Sequence, residues 1–107
     1  MIFIESPAFS KFRAEQLSDE ALQELQSDLI KNPEIGVLIP GSGGLRKLRW
    51  ALPGRGKRGG IRLLYYYWVN KNRIYLLFAY PKNVQSDLTP QQLKQLAAMV
   101  KQEMHNG

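Results

Sequence analysis

A chain of 107 residues with 44% hydrophobic content is the size of one domain with a modest core, and leaves no room for two. It has no cysteine, which excludes disulfides and thiolate metal sites and fits a reducing cytoplasm. The net charge of +6 is unevenly spread: between Ile35 and Ser86 there are ten Lys or Arg and no Asp or Glu. That one-sidedness points to a polyanionic partner, because each neutralised phosphate releases counterions and adds affinity without sequence readout. The plainer reading is a solvated basic face. Arginines interleaved with Leu48, Trp50 and Ile61 favour the first.

The N-terminus, MIFIESPAFSKF, lacks a basic segment followed by a long apolar run, and no stretch reaches the roughly eighteen apolar residues of a membrane span. A mature, soluble chain from Met1 with no membrane partner is expected. Ile2-Phe3-Ile4 reads as a first strand. Ser6 before Pro7 has the form of a helix cap followed by proline at the first helical position, where the missing N–H costs nothing. Phe9 and Phe12 then share one face of a short helix. A second helix opens at Ser18-Asp19-Glu20, with acids where the helix dipole favours them. Ala21, Leu22, Leu25 and Leu29 form its apolar stripe, and it stops at Asn32 ahead of Pro33.

A glycine-rich turn leads into Leu45–Ala51, which alternates like a half-buried strand, with Leu48 and Trp50 on one face and Lys47 and Arg49 on the other. Pro53–Gly60 reads as a loop. Ile61–Val69 is a nearly unbroken run of β-formers and is predicted to be a central strand; Asn70–Arg73 turns the chain, and Ile74–Tyr80 pairs back. Pro81 ends that strand and presents Lys82 and Asn83 at its mouth. Thr89-Pro90-Gln91-Gln92 combines a cap, an N1 proline and a reciprocal capping glutamine, and Leu93, Leu96, Ala97, Val100 and Met104 continue at helical spacing. The expected fold is one α+β domain over residues 1–107, in the order β-α-α-β-β-β-α. Its small, mostly antiparallel sheet has two N-terminal helices on one face, a partly open opposite face lined by basic residues, and a C-terminal helix.

Gly54-Arg55-Gly56-Lys57-Arg58-Gly59 satisfies G-x-G-x-x-G. A dinucleotide fingerprint needs those glycines to open a helix and an acid about twenty residues on, whereas a β-rich run follows and the next acid after the loop is Asp87. The glycines instead suit a basic loop that approaches a phosphate backbone closely, or a plain connection. In Tyr65-Tyr66-Tyr67-Trp68, period two sends one pair to each face, so at least one pair is expected in the core, as is Trp50; stacking on bases is the alternative for the rest. Met99 and Met104 read as helix packing. The sole histidine, His105, lies at the C-terminal end, which excludes a two-histidine acid–base nuclease. The basic region lacks the carboxylate cluster that hard cations need, so no metal or other cofactor is expected. A nuclease built here would have to work with Lys and Arg, a crowded lysine moving protons while arginines hold the phosphate and stabilise transition-state charge.

Several runs in order, SPAFSKF, LSDEALQELQSDLIKNPEIG, GSGGLRKLRW, GKRGGIRLLYYYW, IYLLFAYPKN and DLTPQQL, resemble the RelE/HigB superfamily of bacterial toxins, on its HigB-like branch, over about residues 2–98. The resemblance implies a microbial-ribonuclease-like α+β domain that enters the ribosomal A site and cuts messenger RNA, so inhibiting translation in the cytoplasm. It implies neutralisation by a cognate helix-turn-helix antitoxin, with operator DNA reached only through that antitoxin. Catalytic cations in the family lie on the second strand, at the start of the third and after the last, positions held here by Lys47 and Arg49, by Arg62, and by Lys82 with Asn83. Arg46, Lys57 and Arg58 would grip the RNA backbone. Some members carry an arginine after the last strand and a tyrosine a few residues later; here Lys82-Asn83 and then Thr89 stand instead, and Tyr80 is the candidate substitute. A non-catalytic RNA-binding module or degenerate toxin, and a protein-interaction domain whose charge serves an acidic partner, are the alternatives.

Overall fold

The computed structural model describes residues 1–51, 60–85 and 87–106. Its order is β1 (Ile2–Glu5), α1 (Pro7–Gln16), α2 (Asp19–Lys31), β2 (Val37–Leu38), β3 (Leu45–Trp50), β4 (Ile61–Trp68), a 3-10 turn (Val69–Lys71), β5 (Arg73–Pro81) and α3 (Pro90–Asn106). The sheet runs β1-β5-β4-β3-β2, with β1 parallel to β5 and the other pairs antiparallel. The expected class and order stand, with one addition. β2 is only two residues long, too short to show a period, and both of its residues are exposed.

The helix boundaries follow the caps. The Ser6 hydroxyl accepts the Phe9 N–H at 3.0 Å, and that of Ser18 accepts the Ala21 N–H at 3.1 Å. At α3 the reciprocal box is complete: Thr89 Oγ1 accepts from the Gln92 amide at 3.1 Å, and the Thr89 amide donates to Gln92 Oε1 at 3.0 Å. Before β3, Gly41, Gly43 and Gly44 adopt φ of +71°, +78° and +109°, values that side chains disfavour. The buried Ser42 closes this turn, donating to the Ile39 carbonyl at 2.6 Å and accepting from the Leu45 amide at 3.0 Å, which fixes where β3 begins.

The two faces of the sheet carry separate cores. Phe9, Ala21, Leu25 and Leu29 of α1 and α2 pack on Leu48, Trp50, Ile61, Leu63, Tyr65, Ile74, Leu76 and Ala79. On the other face, Leu96 and Val100 of α3 join Leu45, Leu64, Tyr75, Leu77 and Tyr80. Period two therefore holds along β3 and β4, and both aromatic pairs of the Tyr65–Trp68 run pack, Tyr65 and Tyr67 against the first core and Tyr66 and Trp68 against the second.

Period two fails once, in β5. Tyr65 pairs with Leu76 and Leu64 with Phe78, so Leu77 is an extra residue, and both Leu77 and Phe78 face α3. Ser6 holds this bulge: its amide donates to the Leu76 carbonyl at 2.9 Å and its hydroxyl to the Leu77 carbonyl. One buried serine thus caps α1 and takes up the carbonyl of the inserted residue. Ser6→Ala removes both functions and is expected to lower the unfolding free energy by about 1–3 kcal/mol, read from the midpoint of urea denaturation with an unchanged m-value.

Candidate nucleic-acid interface

The strand register places three of the singled-out side chains in one row. Arg49 on β3 lies directly opposite Arg62 on β4, which lies directly opposite Tyr80 on β5. All three point to the α3 side of the sheet, since Leu48 and Leu63 beside them point into the other core. Lys47 stands two residues back along β3 on the same side, opposite Leu64. Arg49 is exposed, and Lys47 and Arg62 are half-buried. Three cations therefore gather at the end of the central strands from which the chain leaves β3 and enters β4.

Tyr80 is buried, and its hydroxyl has no hydrogen-bond partner among the described residues. Burial raises its pKa above the usual phenol value; the charge of Asp87 adds to the rise and that of Arg62 opposes it. A neutral phenol held beside an arginine is a ready donor to an incoming oxygen. Beyond it, the Lys82 amide donates to the Gly60 carbonyl at 3.1 Å, and the Pro81 carbonyl accepts the Val84 N–H at 3.1 Å. Lys82 and Asn83 are the exposed centre of that turn, next along the chain from the row.

Arg46 is separated from this group. It falls on the opposite face of β3, where its guanidinium donates to the carbonyls of Gly36 at 2.8 Å and Glu34 at 3.2 Å. The Tyr65 hydroxyl works on the same corner, donating to the Pro33 carbonyl at 2.8 Å and accepting the Gly36 N–H at 2.9 Å. A Cβ on Gly36 would lie 2.8 Å from the Tyr65 ring, so glycine permits the approach. Arg46 thereby fastens the α2–β2 connection, and its neighbour Lys47 faces the site. Lys57 and Arg58, with the rest of the basic loop up to Gly59, lie outside the described residues. His105 is exposed in the last turn of α3.

Sequence reasoning passed over Asp87. Its Oδ1 lies 3.1 Å from Lys47 Nζ and accepts the Leu88 N–H at 2.9 Å. The Leu88 amide, then the Lys47 hydrogen bond and the Lys47 and Arg49 charges, hold its carboxyl below the usual carboxylate range. The available signal was that Asp87 is the sole acid between Glu34 and Glu103. No three His, Cys, Asp or Glu among the described residues come together as a metal-holding group.

The family model described as the RelE toxin of the RelE/RelB toxin–antitoxin system matches residues 2–106. The chain belongs to the RelE toxin family. A solved RelE structure agrees with this at the level of the fold: an arginine-to-alanine double mutant of the E. coli toxin RelE in its free state matches with a TM-score of 0.57, covering 92% of this chain and 95% of that one at 14% identity. In this RelE-family chain the two β3 arginines should separate experimentally. Arg46→Ala is expected to lower stability by about 1 kcal/mol through its lost carbonyl contacts and to leave RNA affinity unchanged, whereas Arg49→Ala weakens RNA binding without shifting the thermal midpoint; anisotropy titration and thermal unfolding read the two effects.

Proposed function

We propose that this toxin is a ribosome-dependent mRNA endonuclease of a type II toxin–antitoxin pair, acting in the cytoplasm and neutralised by a cognate helix-turn-helix antitoxin. Family membership supports the toxin assignment, and the observation that carries the chemistry is the Arg49–Arg62–Tyr80 row with Lys47 on the same face. Two guanidiniums directly opposite each other can grip both non-bridging oxygens of one phosphate, a geometry for which arginine is better suited than lysine.

In the proposed reaction the RNA's own 2′-OH attacks the adjacent phosphorus. The 2′ proton passes to a basic side chain, the P–O5′ bond breaks, and the leaving 5′ oxygen takes up a proton, giving a 2′,3′-cyclic phosphate and a 5′-hydroxyl. Arg49 and Arg62 stabilise the negative charge that builds on the phosphorane oxygens, where preorganised donors have their largest effect. Lys47 and Lys82, on either side of the row along the chain, move the protons, and Tyr80 donates a hydrogen bond to the phosphate. Asn83, Lys57 and Arg58 contact the backbone of ribosomal or messenger RNA. No step in this scheme calls on a metal ion.

Primer extension on a message under translation tests the proposal. Wild-type protein should produce discrete cleavage products, and Arg49→Ala or Arg62→Ala should each reduce their rate by about 10²–10³ with RNA affinity reduced far less. Intact transcripts with wild-type protein, together with RNA binding, would favour the non-catalytic module.

A further inference from the structure

We infer that Asp87 is a built-in occupant of the phosphate position beside Lys47, and that a polyanion must displace it to bind and to reach the Tyr80 hydroxyl. The inference rests on the proposed reading of the row as a phosphate site, and deepens it.

Three observations carry it. The donors that Asp87 Oδ1 collects, an ammonium at 3.1 Å and a backbone amide at 2.9 Å, are those a phosphate oxygen would take in its place. Asp87 is also the one carboxylate in a long basic stretch of sequence, and the tertiary fold brings it across forty residues to the cation cluster. Finally, the Tyr80 hydroxyl is shut off from solvent with no partner among the described residues, and it feels both charges, that of Asp87 raising its pKa and that of Arg62 lowering it. An acceptor oxygen arriving there would give the buried hydroxyl a hydrogen-bond partner.

The Lys47–Asp87 contact is not needed to hold the fold. The Asp87 side chain is 67% exposed, and ion pairs in that setting contribute little to stability. The start of α3 is secured independently, by the Thr89–Gln92 box and by Gln85 Nε2, which donates to Gln92 Oε1 at 3.1 Å and to the Asp87 carbonyl at 2.8 Å. Asp87 can therefore swing away while the chain on both sides of it stays anchored. As an occupant it acts as a threshold. An isolated anion competes poorly with a carboxylate already in place, whereas an RNA strand, held at the same time by Arg49 and Arg62, displaces it.

The test uses the whole chain and a fluorescein-labelled single-stranded oligoribonucleotide, titrated by anisotropy at several sodium chloride concentrations. Asp87→Asn is expected to tighten binding about threefold, the scale of one exposed ion pair. It should also steepen the log–log salt dependence by about 0.7, the contribution of one further phosphate contact on a single strand. In a Lys47→Gln background the same substitution should lose most of its effect, and Asp87→Glu should behave as wild type. Unchanged or weaker binding by Asp87→Asn, with Lys47→Gln, Arg49→Ala and Arg62→Ala still weakening it, would overturn this inference alone. Indifference of all three cation variants would overturn the phosphate site, and this inference with it.

Discussion

Like charges placed directly across an antiparallel pair repel, and the Arg49–Arg62 opposition is such a pairing at one end of β3 and β4. The arrangement survives because the residues flanking this pair on the reverse side of the two strands pack together: Leu48 meets Leu63, and Trp50 meets Ile61, all within the core under α1 and α2. Burial on one face thus offsets repulsion on the other. Under the proposed function, an anion bridging the two guanidiniums would remove the repulsion, and the sheet would hold the two arginines paired before any phosphate arrives.

The elements around this pair are secured by polar contacts that stay out of the way. Arg46, Tyr65 and Gly36 tie the α2–β2 corner on the far side, and Trp50 Nε1 donates to Asp28 Oδ2 of α2 at 3.0 Å. The Ser42 turn sets the starting point of β3 and so the register that matches Arg49 to Arg62. Four consecutive residues of β3 divide the labour: Arg46 and Leu48 maintain the scaffold, while Lys47 and Arg49 face the cation cluster.

Much of this was legible in the chain. The alternation of Leu48 and Trp50 against Lys47 and Arg49 is visible because apolar and charged residues mark opposite faces, and each cap was readable because its partner lies three residues away. The same parity places Arg46 with Leu48 and Trp50; its assignment to RNA grip followed charge rather than face, since the carbonyls that engage it lie ten and twelve residues upstream. Asp87 escaped notice for a similar reason, its partner being forty residues distant. In IYLLFAY no polar residue marks a face, so the side on which Tyr80 emerges could not be read from the strand at all.

That side is decided by Leu77. Counting by twos from Leu76 in an unbroken strand would carry Tyr80 under α1 and α2; the inserted residue turns it over, into line with Arg62. The same residues paired without the bulge could keep every helix and every strand and yet set Ala79 opposite Arg62, an alanine where this protein presents a phenol. Loss of chemistry without loss of architecture would then need only a straightened ladder, in a segment where no cation or carboxylate draws the eye.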